Sequence, residues 1–194
     1  ELLKANGFNA VRCAHNPPSS TFLNACDRLG LLVIDEAFDQ WQKEKNPDDY
    51  HRFFDTWHEE DLVSMVLQGR NHPCVILWSI GNEIQERADP AGVEIAARLK
   101  AIIQRYDTTR PVTAAVNDFW DNPDKTWSDS EKAFAMLDVS GYNYKWQEYE
   151  KDHALFPGRV MFGSESVPWE AAANWDLVEK HLYVIGDFVW TALD

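Results

Sequence analysis

Basic residues are in short supply in this chain. Across 194 residues, 18 Lys and Arg stand against 32 Asp and Glu, a formal net charge of −14. A nucleic-acid-binding face needs clustered Lys and Arg, so this balance argues against a nucleic-acid partner. Cysteine is scarce as well. Cys13, Cys26 and Cys74 are an odd number without metal-type spacing. They read as small buried hydrophobes rather than a disulfide framework, although Cys13 lies two residues from His15, as a nucleophile and its base could. No apolar run approaches the ~20 residues that span a bilayer, so no membrane partner is expected. A basic-then-apolar leader is missing too, and no compartment is assigned. What the chain has in quantity is apolar surface. At 45% hydrophobic and 13% aromatic residues it can build a packed core, which a disordered segment cannot. The length fits one domain or two small ones.

The order of the chain is an alternation. Residues 1–7 read as the last turns of a helix with Gly7 just past its end, and the C-terminal residues stop within or just after a strand pattern, so the chain reads as a piece of a longer polypeptide. Between them lie seven short apolar runs suited to buried parallel strands: 10–13, 31–34, 75–78, 112–115, 139–142, 160–163 and 188–190. Helical segments separate several of them. Ser20 can cap a helix that runs to Leu29 and stops at Gly30. Leu62, Met65, Val66 and Gly69 fall at helical spacing, and so do Leu99, Ile102, Ile103 and Tyr106, a stripe expected to face a sheet. This is an α/β pattern with a parallel sheet, either doubly wound or a barrel. The turn after the first strand, Ala14-His15-Asn16-Pro17-Pro18, has no glycine to admit a pyrophosphate. A Walker-type phosphate loop is lacking as well, which favours the barrel, whose chemistry sits at the C-terminal ends of the strands.

Polar side chains collect at those ends. Arg12 and His15, Asp35 and Glu36, Asn82 and Glu83, Asn143 and Tyr144, then Glu165 and Trp190 each close a strand run. Glu83 and Glu165 stand out, each two residues after a glycine that ends an apolar strand. Two carboxylates across a barrel mouth are the equipment of glycosidic bond hydrolysis, one protonating the leaving oxygen while the other attacks the anomeric carbon or activates water. Glu83 could equally open a helix and favour its dipole, with Glu165 a plain loop carboxylate.

The residues 9–18 (Asn-Ala-Val-Arg-Cys-Ala-His-Asn-Pro-Pro), 33–37 (Val-Ile-Asp-Glu-Ala), 70–73 (Arg-Asn-His-Pro), 78–83 (Trp-Ser-Ile-Gly-Asn-Glu) and 186–190 (Gly-Asp-Phe-Val-Trp) occur in one order along nearly the whole chain. Together they resemble glycoside hydrolase family 2, the family of β-galactosidases, β-glucuronidases and β-mannosidases. The resemblance implies a (β/α)8 TIM barrel, incomplete here, with residues 1–194 a partial catalytic domain of a longer multidomain glycosidase. The seven strands would be its second to eighth, and flanking β-sandwich domains would lie elsewhere in the parent. It implies a retaining double displacement with Glu83 as general acid/base and Glu165 as nucleophile, their carboxyls ~5–5.5 Å apart. Asn82 resembles the residue that binds the sugar 2-hydroxyl, Tyr144 (or its neighbour Tyr142, inside the strand) the one that hydrogen-bonds the nucleophile and keeps it ionised, His15 a sugar-binding histidine, and Trp190 a stacking platform for the sugar ring. Arg12 and Asp35 join the substrate-binding set, Arg12 with a structural pairing beneath the site as its alternative. His72 precedes its strand and reads as scaffold at the opposite face. Trp41, Trp120, Trp127, Trp146, Trp169 and Trp175 lie in loop-like stretches, some of which could line the aglycone side.

Two departures from the family pattern matter. Some members hold magnesium through a glutamate and a histidine shortly after Asp-Glu-Ala, where this chain has Gln40 and Gln42, so neither a metal site nor any other cofactor is expected. Some β-galactosidases carry a histidine three residues after the nucleophile, where this chain has Pro168. The substrate implied is a β-linked oligosaccharide or glycoside, with β-galactosidase ahead of β-glucuronidase and β-mannosidase. An inactive carbohydrate-binding fragment is the alternative from another class.

Overall fold

A computed structural model of the chain describes residues 1–191. The elements run α1 (Leu2–Ala5), β1 (Ala10–Cys13), α2 (Ser20–Leu29), β2 (Leu32–Glu36), α3 (His51–Gly69), β3 (Val75–Asn82), α4 (Pro90–Gln104), β4 (Val112–Val116), α5 (Glu131–Phe134), β5 (Ser140–Asn143), α6 (Tyr149–Leu155), β6 (Met161–Ser166), α7 (Ala171–Lys180) and β7 (Val184–Val189). All seven strands belong to one sheet in chain order, and every neighbouring pair is parallel. The result is an incomplete (β/α)8 barrel. Among the described residues β7 and β1 do not pair. They face each other across a groove of about 440 Å³ lined by Val11, Phe22, Phe188 and Val189 among others.

Local chemistry accounts for the ends of the first two helices. Gly7 at φ 88 and Gly30 at φ 65 take the left-handed turn that stops α1 and α2, a conformation that costs little only without a Cβ. The cap of α2 is Ser19 rather than Ser20: Ser19 has extended backbone, and its hydroxyl accepts the Phe22 N–H at 3.3 Å. In α4, Leu99, Ile102 and Ile103 are buried, but the helix stops at Gln104, leaving Tyr106 exposed. Several strands outrun their apolar runs. β3 continues from Trp78 to Asn82 and β6 from Gly163 to Ser166, while β7 begins at Val184. The backbone ladder carries on where the side chains turn polar: Glu36 pairs with Ser79, Asn82 with Ala115, Asn143 with Glu165, and Ser166 with Val189.

Apolar side chains pack on both sides of the sheet. Val33, Val75, Trp78 and Val112 join Leu23, Leu62, Val66, Leu99 and Ile103 in the layer between sheet and helices. Ile34, Leu77 and Phe162 form a separate cluster. β2 and β6 are four places apart in the sheet, so Ile34 and Phe162 share a cluster across the barrel lumen. This apolar plug lies below a polar layer at the C-terminal ends of the same strands. The three cysteines are free, Cys26 and Cys74 buried and Cys13 half-buried.

Candidate active site

Arg12 organises the polar layer. Reaching from β1 across the lumen, it touches β2, β3 and β6. Its Nη2 donates to Glu36 Oε1 at 2.8 Å and to Asn82 Oδ1 at 2.9 Å, while Nη1 donates to Glu165 Oε1 at 2.7 Å and to the Ser164 carbonyl at 3.1 Å. A planar guanidinium presents its donors as a fork, which suits two carboxylates and an amide at once. Burial alone would push the Glu36 carboxyl up, but Arg12, His15 and Ser79 hold it below the usual carboxylate range. Ser79 Oγ donates to Glu36 Oε2 at 2.7 Å, and His15 Nδ1 lies 3.1 Å from Glu36 Oε1. The His15 ring stacks on Trp190 with centroids 5.0 Å apart, and its Nε2 is 3.8 Å from Glu165 Oε1. The Trp190 ring remains partly exposed at the mouth.

Glu83 and Glu165 meet in this layer with unlike partners. Glu165 accepts from Arg12 and, through Oε2, from the Tyr144 hydroxyl at 2.7 Å. Burial, then that carboxylate, push the Tyr144 phenol upward, so it stays a donor. Glu83 accepts one neutral hydrogen bond, from Asn143 Nδ2 at 3.0 Å. Burial raises the Glu83 carboxyl, and the charge of Glu165 adds to the rise against the opposing pull of Asn143, Lys45 and His15. Asn143 is itself aimed by Ser164, whose hydroxyl donates to its Oδ1 at 2.6 Å.

The backbone carries a matching signature. Among the described residues, the non-glycine positions with positive φ are Glu83 at 44° and Tyr144 at 58°. Each costs on the order of 1–3 kcal/mol and persists only where its surroundings over-determine it. Here each backbone N–H is fixed to the next strand, Glu83 to the Ala115 carbonyl and Tyr144 to the Glu165 carbonyl, both at 2.8 Å.

Arg12, His15, Asn82, Glu83, Tyr144, Glu165 and Trp190 thus come to one mouth. Asp35 does not. Adjacent strand residues face opposite ways, and Glu36 takes the lumen. Asp35 lies in the outer layer, where a Cβ placed on Gly69 of α3 would sit 3.0 Å from its Oδ2. Tyr142 also faces outward, its hydroxyl donating to Asp152 at 2.9 Å. His72 bonds Asp27 through Nδ1 at 2.6 Å, before the start of β3 and so at the N-terminal face. Together with Cys74 these two form the one group of potential metal ligands among the described residues, but Asp27 is already engaged by the His72 ring and the Cys74 N–H. Gln42 donates to Asp55 at 2.6 Å. Of the loop tryptophans, Trp41 and Trp127 are core, Trp175 belongs to α7, Trp146 donates to Glu170, and Trp120 and Trp169 are exposed. Asn143, noted in the sequence only as a polar residue at a strand end, and Ser164, not singled out there, prove to be direct partners of the site. Asp39 and Lys45 carried no signal at all, since a loop residue has no periodicity to place it.

A model of the glycosyl hydrolases family 2 TIM barrel domain matches residues 1–155. The chain belongs to glycoside hydrolase family 2. The β-galactosidase BoGH2A of Bacteroides ovatus is 36% identical over 197 residues, covering 86% of this chain and 22% of its own length. A putative β-glucuronidase of Formosa agariphila is 38% identical over 115 residues, 59% of this chain and 10% of its own. Among solved structures, a family 2 member from Bacteroides cellulosilyticus superposes with a TM-score of 0.92 at 51% identity, over 98% of this chain and 24% of that one. The chain therefore spans roughly a quarter or less of these family 2 relatives.

Proposed function

We propose that this chain carries the catalytic centre of a retaining β-glycosidase acting on β-galactosides. Glu165 attacks the anomeric carbon as the bond to the leaving oxygen breaks, and Glu83 delivers its proton to that oxygen. Glu83 then takes a proton from water as the water displaces Glu165 from the sugar. The observation that carries this reading is the contrast between the two carboxyls. One is tied to an arginine and a phenol; the other is buried beside a neutral amide and pushed upward. A carboxyl held by a cation and a phenol suits a nucleophile, and one raised by burial suits an acid. In this reading Asn82 binds the sugar 2-hydroxyl, His15 and Trp190 form the wall for the ring, and Arg12 holds Glu165 in line. The parent's other domains would complete the pocket.

The galactoside preference rests on the likeness to BoGH2A over most of the chain. A β-glucuronide is the second reading, favoured by the likeness to the Formosa protein. The test uses the full-length protein and a panel of p-nitrophenyl β-galactoside, β-glucuronide and β-mannoside. Galactoside turnover with β-galactose as the first anomer seen by NMR is expected. An α-anomer first would refute retention, and faster glucuronide turnover would replace the sugar assignment.

A further inference from the structure

The segment between β2 and α3 holds Asn82 by three of its polar groups. The Asn82 N–H donates to the Phe38 carbonyl at 3.0 Å. Its Nδ2 donates to Asp39 Oδ1 at 2.9 Å, and its carbonyl accepts from Lys45 Nζ at 2.9 Å. Lys45 and Asp39 are themselves paired, Nζ to Oδ1 at 2.7 Å. The fourth group, Asn82 Oδ1, takes Arg12 and Asn143. Nothing of Asn82 is left to rotate. The segment is pinned in turn by Asp49, whose Oδ2 accepts the Lys45 and Asn46 N–H groups at 2.8 Å and whose Oδ1 accepts from His51.

Resting on the reading of Glu83 as the acid, we propose that the Asp39–Lys45 pair is a positioning device for the reaction. It locks the Asn82–Glu83 peptide, so that the Asn82 amide faces the sugar and Glu83 keeps its left-handed backbone, and it sets a cation near the acid. The carbonyl that Lys45 grips belongs to the peptide immediately before Glu83, whose φ of 44° needs holding. The charge acts on the same residue. The groups that face Glu83 are Asn143 from β5, Glu165 from β6, His15 from the loop after β1, Tyr144 after β5, and Lys45. Among them Lys45 favours the ionised form of Glu83 and Glu165 opposes it. The Asp39 carboxylate, held low by Lys45 and Asn82 against its own burial, keeps the ammonium in place.

The test is made on the full-length protein with p-nitrophenyl β-galactoside, or whichever glycoside of the panel turns over fastest. The measurement is kcat/KM against pH for Lys45→Met, Lys45→Gln and Lys45→Arg, with circular dichroism and melting to establish folding. Lys45→Met is expected to lose about 10- to 100-fold in kcat/KM, the scale of a catalytic group displaced by an ångström or less. Its basic limb is expected to move to higher pH, because removing a cation makes the acid hold its proton longer. Lys45→Gln keeps a donor for the Asn82 carbonyl without the charge. It should show the same limb shift with a smaller rate loss, and it stands in if the Met variant does not fold. Lys45→Arg should keep the limb near the wild-type position. A merely structural lysine would lower the rate and leave the profile in place, so unmoved limbs in both uncharged variants overturn the proposal. Glu83→Gln is run alongside. If the basic limb persists there, the acid assignment fails. If it vanishes there but stays put in the lysine variants, only the positioning proposal fails.

Discussion

Asp35→Asn should stabilise the protein at neutral pH and leave it nearly unchanged in acid. Asp35 is 1% exposed, and among the described residues neither carboxyl oxygen has a hydrogen-bond partner. Burial, then the neighbouring charge of Glu36, push its carboxyl from 3.8 up to about 7. The sign follows from proton binding. Between those two values the folded protein holds a proton that the unfolded chain has released, so stability falls as pH rises through this window. At about 1.4 kcal/mol per pH unit, a rise of about three costs on the order of 4 kcal/mol by pH 7 and above. Asparagine has nearly the same shape and does not titrate, so this cost disappears while the packing against Gly69 and Trp78 is kept.

The assay is urea unfolding of both proteins at a series of pH values from about 4 to 8, with ΔG taken from the linear extrapolation. Other titrating groups contribute to both proteins and cancel in the difference. The expected difference is small near pH 4 and grows in favour of the Asp35→Asn variant up to pH 7, then levels. A difference that is flat across the range would refute the reasoning. A difference that grows in favour of the wild type would mean that Asp35 gains a cationic partner in solution.

Other outcomes can be checked with single substitutions. Tyr144→Phe removes a hydrogen bond to Glu165 without opening a cavity, so kcat should fall about 10- to 100-fold while the melting temperature barely moves, as read by steady-state kinetics and thermal melting. Arg12→Met leaves the fully buried Glu36 without its counter-charge and should cost about 3–5 kcal/mol in denaturant unfolding, as breaking one side of a buried pair does. Gly69→Ala brings a Cβ to 2.8 Å from the Trp78 ring, and the overpacking should cost about 1–3 kcal/mol in the same assay.

The alternation of strands and helices was legible in the sequence because seven apolar runs of strand length are separated by turn signals and helical stripes. The mouth was legible because polar residues recur just where those runs end. Strand limits were harder. A run such as 75–78 marks where side chains are apolar, whereas β3 continues to Asn82 because its backbone still has neighbours to bond. The same blind spot explains Asp35. Next to Glu36 in sequence, it shares a motif, but the pleat sends the two to opposite layers, and only the register says which one faces the lumen. Tyr142 and Tyr144 differ in the same way, one facing Asp152 and the other, beyond the strand in a left-handed conformation, turning back to Glu165. Asp39 and Lys45 lie in an irregular segment, where three-dimensional proximity to Asn82 leaves no trace in spacing.

The two carboxyls are distinguished by what the barrel places beside them rather than by anything in their own chemistry. Arg12 starts on β1 and reaches Glu165 on β6, a contact possible only across a lumen, and it brings Glu36 with it as a second carboxylate on the same cation. Glu83 lies beyond that fork. Asn82, one residue earlier, accepts from Arg12, whereas Glu83 accepts from the Asn143 amide and feels the charge of Lys45. Burial then raises the Glu83 carboxyl, and the pull of the Asn143 amide, Lys45 and His15 does not cancel that rise. The two residues Asn82 and Glu83, adjacent at the end of β3, thus take different partners. The asparagine takes the arginine, and the glutamate, left to a neutral amide, is the carboxyl pushed upward.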